Sequence, residues 1–528
     1  MKDLIQRRDF MTGTVAGAAL AATAASIPAV NAAQTPDDRK LNVLFIMTDQ
    51  QRYDCLGANG NPIIQTPNLD RLAAQSANFS NFFVQSPVCV PSRASFFTGR
   101  YAHAHRNRVN YTPLNESEVL MPARLQSSGY RTALIGKTHL YYQFPPTPEE
   151  AKRTGYDVVE LHDGSKISDP WSDYVKWRQS HDPQKDIYYR KTVRGGTGGN
   201  PYRAVIDEHY SDITWTGERT CHWLRQLAEA DQPFFLFSSF FKPHSPFEVS
   251  EPFDAMYSDV DIPLPRQESL EDIQRLPLPL QKLILRGGKP PYNMERERLE
   301  WCYRSYYGAI SHIDREVGHI LDTLAKSGAA ENTIVVFTSD HGDQLLEHGF
   351  MGKNAFFEAS IHVPFMIRLP GRVKTGRYDE LTESVDLLPT LFDLLDLPEP
   401  YHCHGKSLAP LITDCGTAYE PRNAVFSENI IPEVITSGKL DFQFEKGKGV
   451  KGIRHPDAKM VRTRRWKYNY YPEGFEELYD LRSDPLEQQN LASRPEFQSV
   501  VREMKGRILD WLITTTETEQ IAPRWMIP

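Results

Sequence analysis

The sequence predicts an α/β fold in which a large, mainly parallel sheet is sandwiched by helices and a smaller antiparallel sheet follows near the C-terminus. Short apolar runs rich in β-branched and aromatic residues alternate with longer segments whose apolar residues recur every three or four positions. This alternation is typical of parallel sheets with helices on both faces. Each apolar run is followed at once by polar residues, and in such sheets ligands bind at the carboxyl ends of the strands.

Four apolar runs are predicted to be buried strands, and they lie at 41–47, 131–136, 233–240 and 333–338. Their carboxyl ends lead, in order, into Asp49 and Gln50, into Lys137 and His139, into His244, and into Asp340 and His341. Parallel strands end at one edge of a sheet, so residues that are distant in sequence are expected to meet in one crevice.

Helical periodicity occupies the segments between these strands, at 66–77, 212–230 and 304–326. A further helix is predicted to open just after Pro91. After residue 415 the sequence pattern changes to that of a smaller sheet. Strands are predicted at 462–471 and 477–481 and an amphipathic helix at 495–511. The predicted organisation is therefore an N-terminal segment at 1–32, a catalytic domain at 40–415 and a smaller C-terminal subdomain at 416–528.

The N-terminus predicts export. Arg7 and Arg8 precede a weakly apolar run at 12–25, and small residues stand before a cleavage point after Ala32. This pattern resembles a bacterial twin-arginine signal peptide and predicts a periplasmic or secreted protein. A membrane anchor is the alternative, but the run is too short and is interrupted by glycines and a proline, so we expect no stable anchor. The net charge of -8 argues against a nucleic-acid partner.

A cysteine motif gives the most specific indication of function. Residues 89–100 read C-x-P-S-R-A-S-x-x-T-G-R. A buried structural cysteine before a helix is the plain alternative, but it predicts none of the other motifs. The segment resembles the signature of the type I, formylglycine-dependent sulfatases of the alkaline phosphatase superfamily. The resemblance extends from about residue 42 to the L-Y-D-L-x-x-D-P-x-E-x-x-N-L run at 478–491. It implies that a formylglycine-generating maturation enzyme converts Cys89 to formylglycine.

Asp49, Gln50, Asp340 and His341 form a candidate cation site. Carboxylate and amide oxygens suit hard cations such as Ca2+ and Mg2+, and an imidazole also tolerates Mn2+. In the sulfatase family these positions, together with the formylglycine at Cys89, hold one divalent cation, usually Ca2+. Many members carry Asp where this chain has Gln50 and Asn where it has His341. These departures lower the ligand charge and leave Mn2+ or Mg2+ as alternatives.

Fixed positive charge is needed to hold the sulfuryl oxygens. By the family match, Arg93 holds the formylglycine hydrate, Lys137 contacts sulfate and His139 contacts the diol. His244 protonates the leaving oxygen, and Lys353 bridges sulfate and the leaving group. Asn110 matches an anion-contacting residue of the branch with choline sulfatases and phosphonate monoester hydrolases. The sequence is equally consistent with Asn110 being only a turn residue.

The resemblance implies hydrolysis of sulfate monoesters. One hydroxyl of the formylglycine hydrate attacks sulfur, and deprotonation of the second hydroxyl then expels sulfate. Export predicts a sulfated carbohydrate or small molecule as the substrate. The first alternative is a phosphonate monoester or phosphodiester hydrolase, which typically lacks the K-x-H pair formed here by Lys137 and His139. The second is a non-catalytic relative that binds sulfated glycans, which a missing nucleophile or metal ligand would indicate.

Overall fold

The first strand of the chain lies at the centre of the large sheet. The structure is a computed structural model that describes residues 40–143, 145–164, 170–182, 207–247, 249–285, 294–430, 457–471 and 474–516. The predicted export signal lies outside these residues. The described strands are β1 (Asn42–Asp49), β2 (Ala77–Phe79), β3 (Phe82–Phe83), β4 (Arg131–Gly136), β5 (Val158–Leu161), β6 (Phe234–Pro243), β7 (Thr333–Ser339), β8 (Phe365–Arg368), β9 (Gly376–Tyr378), β10 (Thr382–Glu383), β11 (Val425–Ile430), β12 (Asp457–Arg462), β13 (Trp466–Tyr470) and β14 (Glu476–Asp480).

Helices separate most of these strands. They are α1 (Pro67–Ala74), α2 (Cys89–Thr98), α3 (Ala102–His105), α4 (Met121–Ser127), α5 (Pro148–Arg153), α6 (Asp173–His181), α7 (Asp212–Ala228), α8 (Leu270–Arg275), α9 (Leu278–Ile284), α10 (Arg296–Lys326), α11 (Glu358–Ile361), α12 (Leu387–Leu394), α13 (Ala409–Ile412) and α14 (Gln498–Thr515). None of the helices in the described ranges combines the length and apolar character that crossing a bilayer requires.

The large sheet has the strand order β5-β4-β6-β1-β7-β8-β2-β9. The five strands from β5 to β7 are all parallel. Only β8 runs against its neighbours, and β2 and β9 pair in parallel. A separate sheet of β11 to β14 is antiparallel throughout. The predicted α/β class, with one large mainly parallel sheet and one small antiparallel sheet, is therefore confirmed.

Both faces of the large sheet are covered, as the continuous apolar run in β1 requires. Val43, Phe45 and Met47 point into one hydrophobic cluster, which side chains of α2, α4 and α12 complete. Leu44 and Ile46 point into a second cluster, which α1, α7 and α10 cover. All five side chains are fully buried, and each such burial stabilises the fold by about 1.5–3 kcal/mol. The sheet that carries the site is thus a rigid platform.

Helix α2 begins earlier than the sequence predicts. We expected the helix after Pro91, but Cys89 is its first residue and Val88 its extended N-cap. Proline is tolerated in a first helical turn, where no backbone N–H is needed, so Pro91 lies inside the helix. The helix ends at Gly99, whose φ is 68°. A Cβ at Gly99 would lie 2.5 Å from the Cys403 sulfur, which explains the glycine of the T-G-R triplet.

The small sheet corrects one predicted strand. The stretch at 462–471 is divided between β12, which ends at Arg462, and β13, which begins at Trp466. The Thr463 hydroxyl accepts a hydrogen bond of 2.9 Å from the Trp466 N–H and closes the turn between them. Helix α14 packs on this sheet through Val501 and Met504. The boundary at residue 415 between two domains stays a prediction.

Candidate active site

Four strand ends of the large sheet deliver the candidate residues to one edge. In the central part of the sheet the order is β4-β6-β1-β7, and these strands are parallel. Asp49 is the last residue of β1 and pairs with Pro243 at the end of β6. Lys137 follows β4, and Asp340 follows β7. Residues that are far apart in sequence, such as Asp49 and Asp340, therefore meet because their strands are parallel neighbours that end at the same edge of the sheet.

Cys89 occupies the first turn of α2, where free backbone N–H groups and the helix dipole favour negative charge. Its Sγ lies 2.8 Å from Lys353 Nζ, 3.2 Å from His341 Nε2 and 4.0 Å from Lys137 Nζ. The Sγ is also 4.0 Å from Asp49 Oδ1. The structure thus brings the candidate nucleophile together with two lysines and the candidate cation site.

The cation site is compact and buried. One ligand atom each from Asp49, Cys89, Asp340 and His341 lies within 4.8 Å of all the others. His341 Nδ1 lies 2.9 Å from the Gly342 carbonyl oxygen and donates to it, which leaves Nε2 as a lone-pair donor. Gln50 donates through Nε2 to Asp343, and its Oε1 is buried without a hydrogen-bond partner among the described residues. Gln50 directly follows Asp49, and its N–H donates to Asp340 Oδ1 at 3.0 Å. An unsatisfied buried carbonyl on this residue fits a hard divalent cation.

Arg93 and Lys137 neutralise the carboxylates of this site. Arg93 Nε donates to Asp340 Oδ2 at 2.8 Å, and its NH2 group lies 3.4 Å from Asp49 Oδ2. Its NH1 group donates to the Lys137 carbonyl and to Ser239 Oγ. Lys137 Nζ lies 2.5 Å from Asp49 Oδ2. Gly136 places this lysine, because its φ is 96° and a Cβ there would lie 2.0 Å from the Ser239 carbonyl oxygen.

These charges shift the protonation equilibria in the pocket. Burial alone would raise the pKa of the Cys89 thiol, but Lys137 and Lys353 outweigh burial and hold this pKa well below its usual range. Burial and Cys89 also act to raise the pKa of the Asp49 carboxyl, yet Lys137 contributes to holding it below its ordinary value. Burial acts to lower the pKa of Lys137, and Asp49 reverses this and raises it. The pocket therefore favours an anionic group at residue 89.

His244, His139 and Asn110 lie around the nucleophile. Burial, followed by the charge of Lys353, lowers the pKa of His244. Its Nδ1 lies 2.6 Å from the Ser245 carbonyl oxygen, so Nδ1 donates there and Nε2 is left for the site. The His139 side chain also contributes to lowering the pKa of the Cys89 thiol. Asn110 Oδ1 accepts a hydrogen bond of 3.0 Å from the Val90 N–H, so only its Nδ2 group remains to donate to an anion.

Two carboxylates that we did not predict, the buried Asp343 and the half-buried Asp163, hold the predicted residues in place. Asp343 accepts the Gln50 amide through Oδ2 and the Leu345 and Gly352 N–H groups through Oδ1, so it ties the cation site to the loop before Lys353. Asp163 accepts the His139 N–H at 2.8 Å and the Tyr141 hydroxyl at 2.6 Å. Asp343 could have been selected from the sequence, because it ends the D-H-G-D run at 340–343. Asp163 follows β5, a strand that we did not predict.

Such a pocket suits an enzyme that cleaves esters of sulfur or phosphorus oxyacids. Its lysines can bind the anionic ester, and its carboxylates can bind a metal cation that offsets the negative charge. A model of the sulfatase family matches residues 41–397. The arylsulfatase of Clostridium perfringens is 30% identical over 501 residues, which cover 89% of this chain and 95% of the relative. The N-acetylglucosamine-6-O-sulfatase of Bacteroides thetaiotaomicron is 26% identical over 520 residues, which cover 89% of this chain and 86% of the relative.

The solved phosphonate monoester hydrolase of Agrobacterium radiobacter superposes with a TM-score of 0.77 at 27% identity, covering 90% of this chain and 96% of that structure. The chain therefore belongs to the sulfatase family. The resemblance read from the cysteine motif and the prediction of a sulfatase-class enzyme are confirmed.

Proposed function

We propose that this protein hydrolyses sulfate monoesters. The observation that carries the proposal is the position of Cys89, whose Sγ is in contact with Lys353 and within 4.0 Å of both Lys137 and Asp49. A nucleophile of this kind needs cations that hold the sulfuryl oxygens as charge develops on them. Conversion of Cys89 to formylglycine by a maturation enzyme, followed by hydration, supplies two hydroxyls. One attacks sulfur, the ester S–O bond breaks and the alcohol leaves. Deprotonation of the other then drives C–O cleavage, which releases sulfate and restores the aldehyde.

The divalent cation of the proposed mechanism would be held by Asp49, Gln50, Asp340 and His341 together with the modified residue 89. When bound, it supplies positive charge that lowers the pKa of the attacking hydroxyl and neutralises the sulfuryl group. Ca2+ is the ion we propose, because three of the four side chains offer oxygen ligands. Mn2+ and Mg2+ remain the alternatives, since His341 adds a nitrogen ligand.

The chain's own side chains divide the remaining work. Arg93 fixes the two metal-site carboxylates relative to α2 and so orients the nucleophile. Lys137 and Lys353 approach residue 89 from β4 and from the loop after β7, and we assign them to the sulfuryl oxygens. His139 is assigned to the formylglycine hydrate. Asn110 caps the first turn of α2 through its oxygen and keeps its NH2 group for the anion.

His244 is the proposed acid for the leaving oxygen. Its Nδ1 is committed to the Ser245 carbonyl, so the proton delivered to the leaving group must come from Nε2. The residue follows β6, which places the ring at the same sheet edge as the nucleophile. A sulfate ester bound in the pocket adds negative charge beside the ring, and that charge favours the protonated imidazole.

For the natural substrate we propose a sulfated carbohydrate. The support comes from the similar N-acetylglucosamine-6-O-sulfatase, whose name specifies a sulfated sugar, and from the predicted export signal. A periplasmic or secreted location would bring the enzyme to extracellular polymers. This substrate class, the location and the absence of a stable membrane anchor are all parts of the proposal.

A phosphonate monoester or phosphodiester hydrolase is the second candidate. The similarity to the phosphonate monoester hydrolase of Agrobacterium radiobacter favours it. Lys137 and His139 favour sulfate, because the K-x-H pair is typically absent from phosphonate-hydrolysing relatives, and Lys137 Nζ lies 4.0 Å from the Cys89 sulfur here. The non-catalytic alternative receives no support, since the nucleophile lies together with the candidate ligands Asp49, Asp340 and His341.

A matched pair of aryl esters tests the proposal. The purified, formylglycine-bearing protein is given an aryl sulfate and an aryl phosphonate with the same leaving group, and free phenol is measured for each. We expect kcat/KM to be higher for the sulfate, and Cys89→Ala to abolish turnover of both while the protein stays folded. A wide preference for the phosphonate would replace the proposal with the second candidate.

A further inference from the structure

Tyr111 has an unusual combination of backbone and exposure. Its φ is 63°, in the left-handed region that a glycine adopts freely and a bulky residue rarely does. Its side chain is nevertheless large, and 50% of the residue is exposed. The catalytic roles assigned above do not use it. An exposed aromatic ring at a position whose backbone favours glycine calls for a functional explanation.

The turn around Tyr111 is firmly built. Asn107 Nδ2 donates to the Pro113 carbonyl at 2.8 Å, and the Thr112 hydroxyl donates to the Val109 carbonyl at 2.8 Å. The Leu114 N–H donates to the Tyr141 carbonyl at 2.7 Å and anchors the end of the turn. The backbone of Tyr111 is therefore held in its left-handed conformation by its neighbours, and the ring is carried on a fixed support.

The support places the ring at the mouth of the active site. Asn110, the preceding residue, bonds the N–H of Val90 beside the nucleophile. The Tyr111 ring meets the His139 ring edge to face, with 5.8 Å between centroids and 80° between planes. His139 stands two residues after Lys137, whose Nζ lies 4.0 Å from the Cys89 sulfur. The exposed aromatic ring is thus in contact with one residue of the site and directly follows another.

We propose that Tyr111 is a platform for the leaving group and selects sulfate esters whose alcohol is part of a six-membered ring. An aromatic face or edge attracts the C–H groups of a pyranose or the π-system of an aryl ring, whereas an acyclic alcohol offers less surface. The inference rests on the proposed sulfatase function and extends it to the group beyond the ester oxygen. Tyr111 is thus a specificity residue, and it takes no part in proton transfer.

The test uses Tyr111→Gly and Tyr111→Phe with three sulfate esters of matched leaving-group acidity: an aryl, a pyranosyl and an acyclic alkyl ester. Glycine fits the left-handed backbone, so Tyr111→Gly should keep the melting temperature of the wild type or raise it. We expect KM for the ring-bearing esters to rise about threefold to tenfold in Tyr111→Gly while the acyclic ester is unchanged. Tyr111→Phe retains an aromatic ring, so this variant should show the wild-type preference for the ring-bearing esters. Tyr401, which is 58% exposed and outside the site, supplies the control variant Tyr401→Ala.

The outcomes separate this inference from the proposed function. A rise in KM for only the aryl ester or only the pyranosyl ester also supports the platform and shows which kind of ring Tyr111 contacts. An equal rise in KM for all three esters, or no rise for any, would overturn it, and so would a larger rise for the acyclic ester. If the wild type cleaves no sulfate ester, the proposed function has failed. The platform is then judged by the same variants with aryl and alkyl phosphonates.

Discussion

Asp343→Asn is expected to weaken cation binding although residue 343 is not among the proposed ligands. The Asp343 side chain is fully buried, and its Oδ2 fixes the Gln50 amide by accepting a hydrogen bond from Nε2. Asparagine has the same shape but would turn an NH2 group toward Gln50, so two donors would face each other. The Gln50 amide must then rotate or move, and its Oε1 leaves the cation. The Leu345 and Gly352 N–H groups keep their acceptor, because Oδ1 is retained.

The size of this effect follows from the bond that is lost. A hydrogen bond to a charged group contributes about 1.5–3 kcal/mol, and loss of a group that orients a metal ligand typically reduces metal affinity about 10- to 100-fold. We therefore expect the Kd for Ca2+, measured by calorimetry on the metal-stripped protein, to rise about 10- to 100-fold in Asp343→Asn.

A double-mutant cycle provides the control. In Gln50→Ala the ligand is already absent, so adding Asp343→Asn should cost little further affinity. The reasoning is refuted if Asp343→Asn leaves the Kd unchanged, or if it costs as much in the Gln50→Ala background as in the wild type. A melting curve of each metal-stripped variant shows whether a loss of affinity merely reflects a loss of folding.

Three further predictions concern catalysis and stability. His244→Ala should lower kcat about 10²- to 10⁴-fold for sugar-like leaving groups and far less for activated aryl sulfates; a uniform loss would remove the acid role. Lys137→Ala should lower kcat/KM for an aryl sulfate about 10²- to 10³-fold and more than for the matched phosphonate; equal losses would show that it does not discriminate. Burial lowers the pKa of His105, His312 and His348 to about 3. Because the pKa of each histidine is lower in the folded than in the unfolded state, the free energy of unfolding is highest above about pH 6.5. It falls by about 2 kcal/mol for each of the three residues by pH 5. A denaturation midpoint that stays constant over this range would contradict the prediction.

The sequence predicts the central strands well because they are apolar and fully buried. The run at 131–136 coincides with β4. By contrast β1 continues through Thr48 to Asp49, because hydrogen bonds with its neighbours extend a strand beyond the point where its side chains turn polar. Helix α10 begins at Arg296, ahead of the expected 304, because its first turns are charged and conceal the periodicity. β5 was not recognised at all, since only four residues form it.

The site shows a similar division. Residues with distinctive motifs, such as Cys89 and Asp340, could be selected from the sequence because their neighbours specify them. Asp163 could not, because a single aspartate after a short strand carries no pattern. Its relation to His139 exists only once β5 has been placed beside β4. The orientation of Gln50 likewise depends on Asp343, which is 293 residues away in the loop after β7, and residue type alone does not reveal this contact.

The central claim is that turnover depends on an oxidised residue 89. Mass spectrometry of the peptide that contains Cys89 measures the fraction present as formylglycine. Protein samples prepared with different amounts of maturation enzyme give a range of this fraction. We predict that sulfate release from an aryl sulfate rises in proportion to it and reaches zero where only the thiol is found. Full sulfatase activity in a sample whose residue 89 is entirely unmodified cysteine would contradict the account.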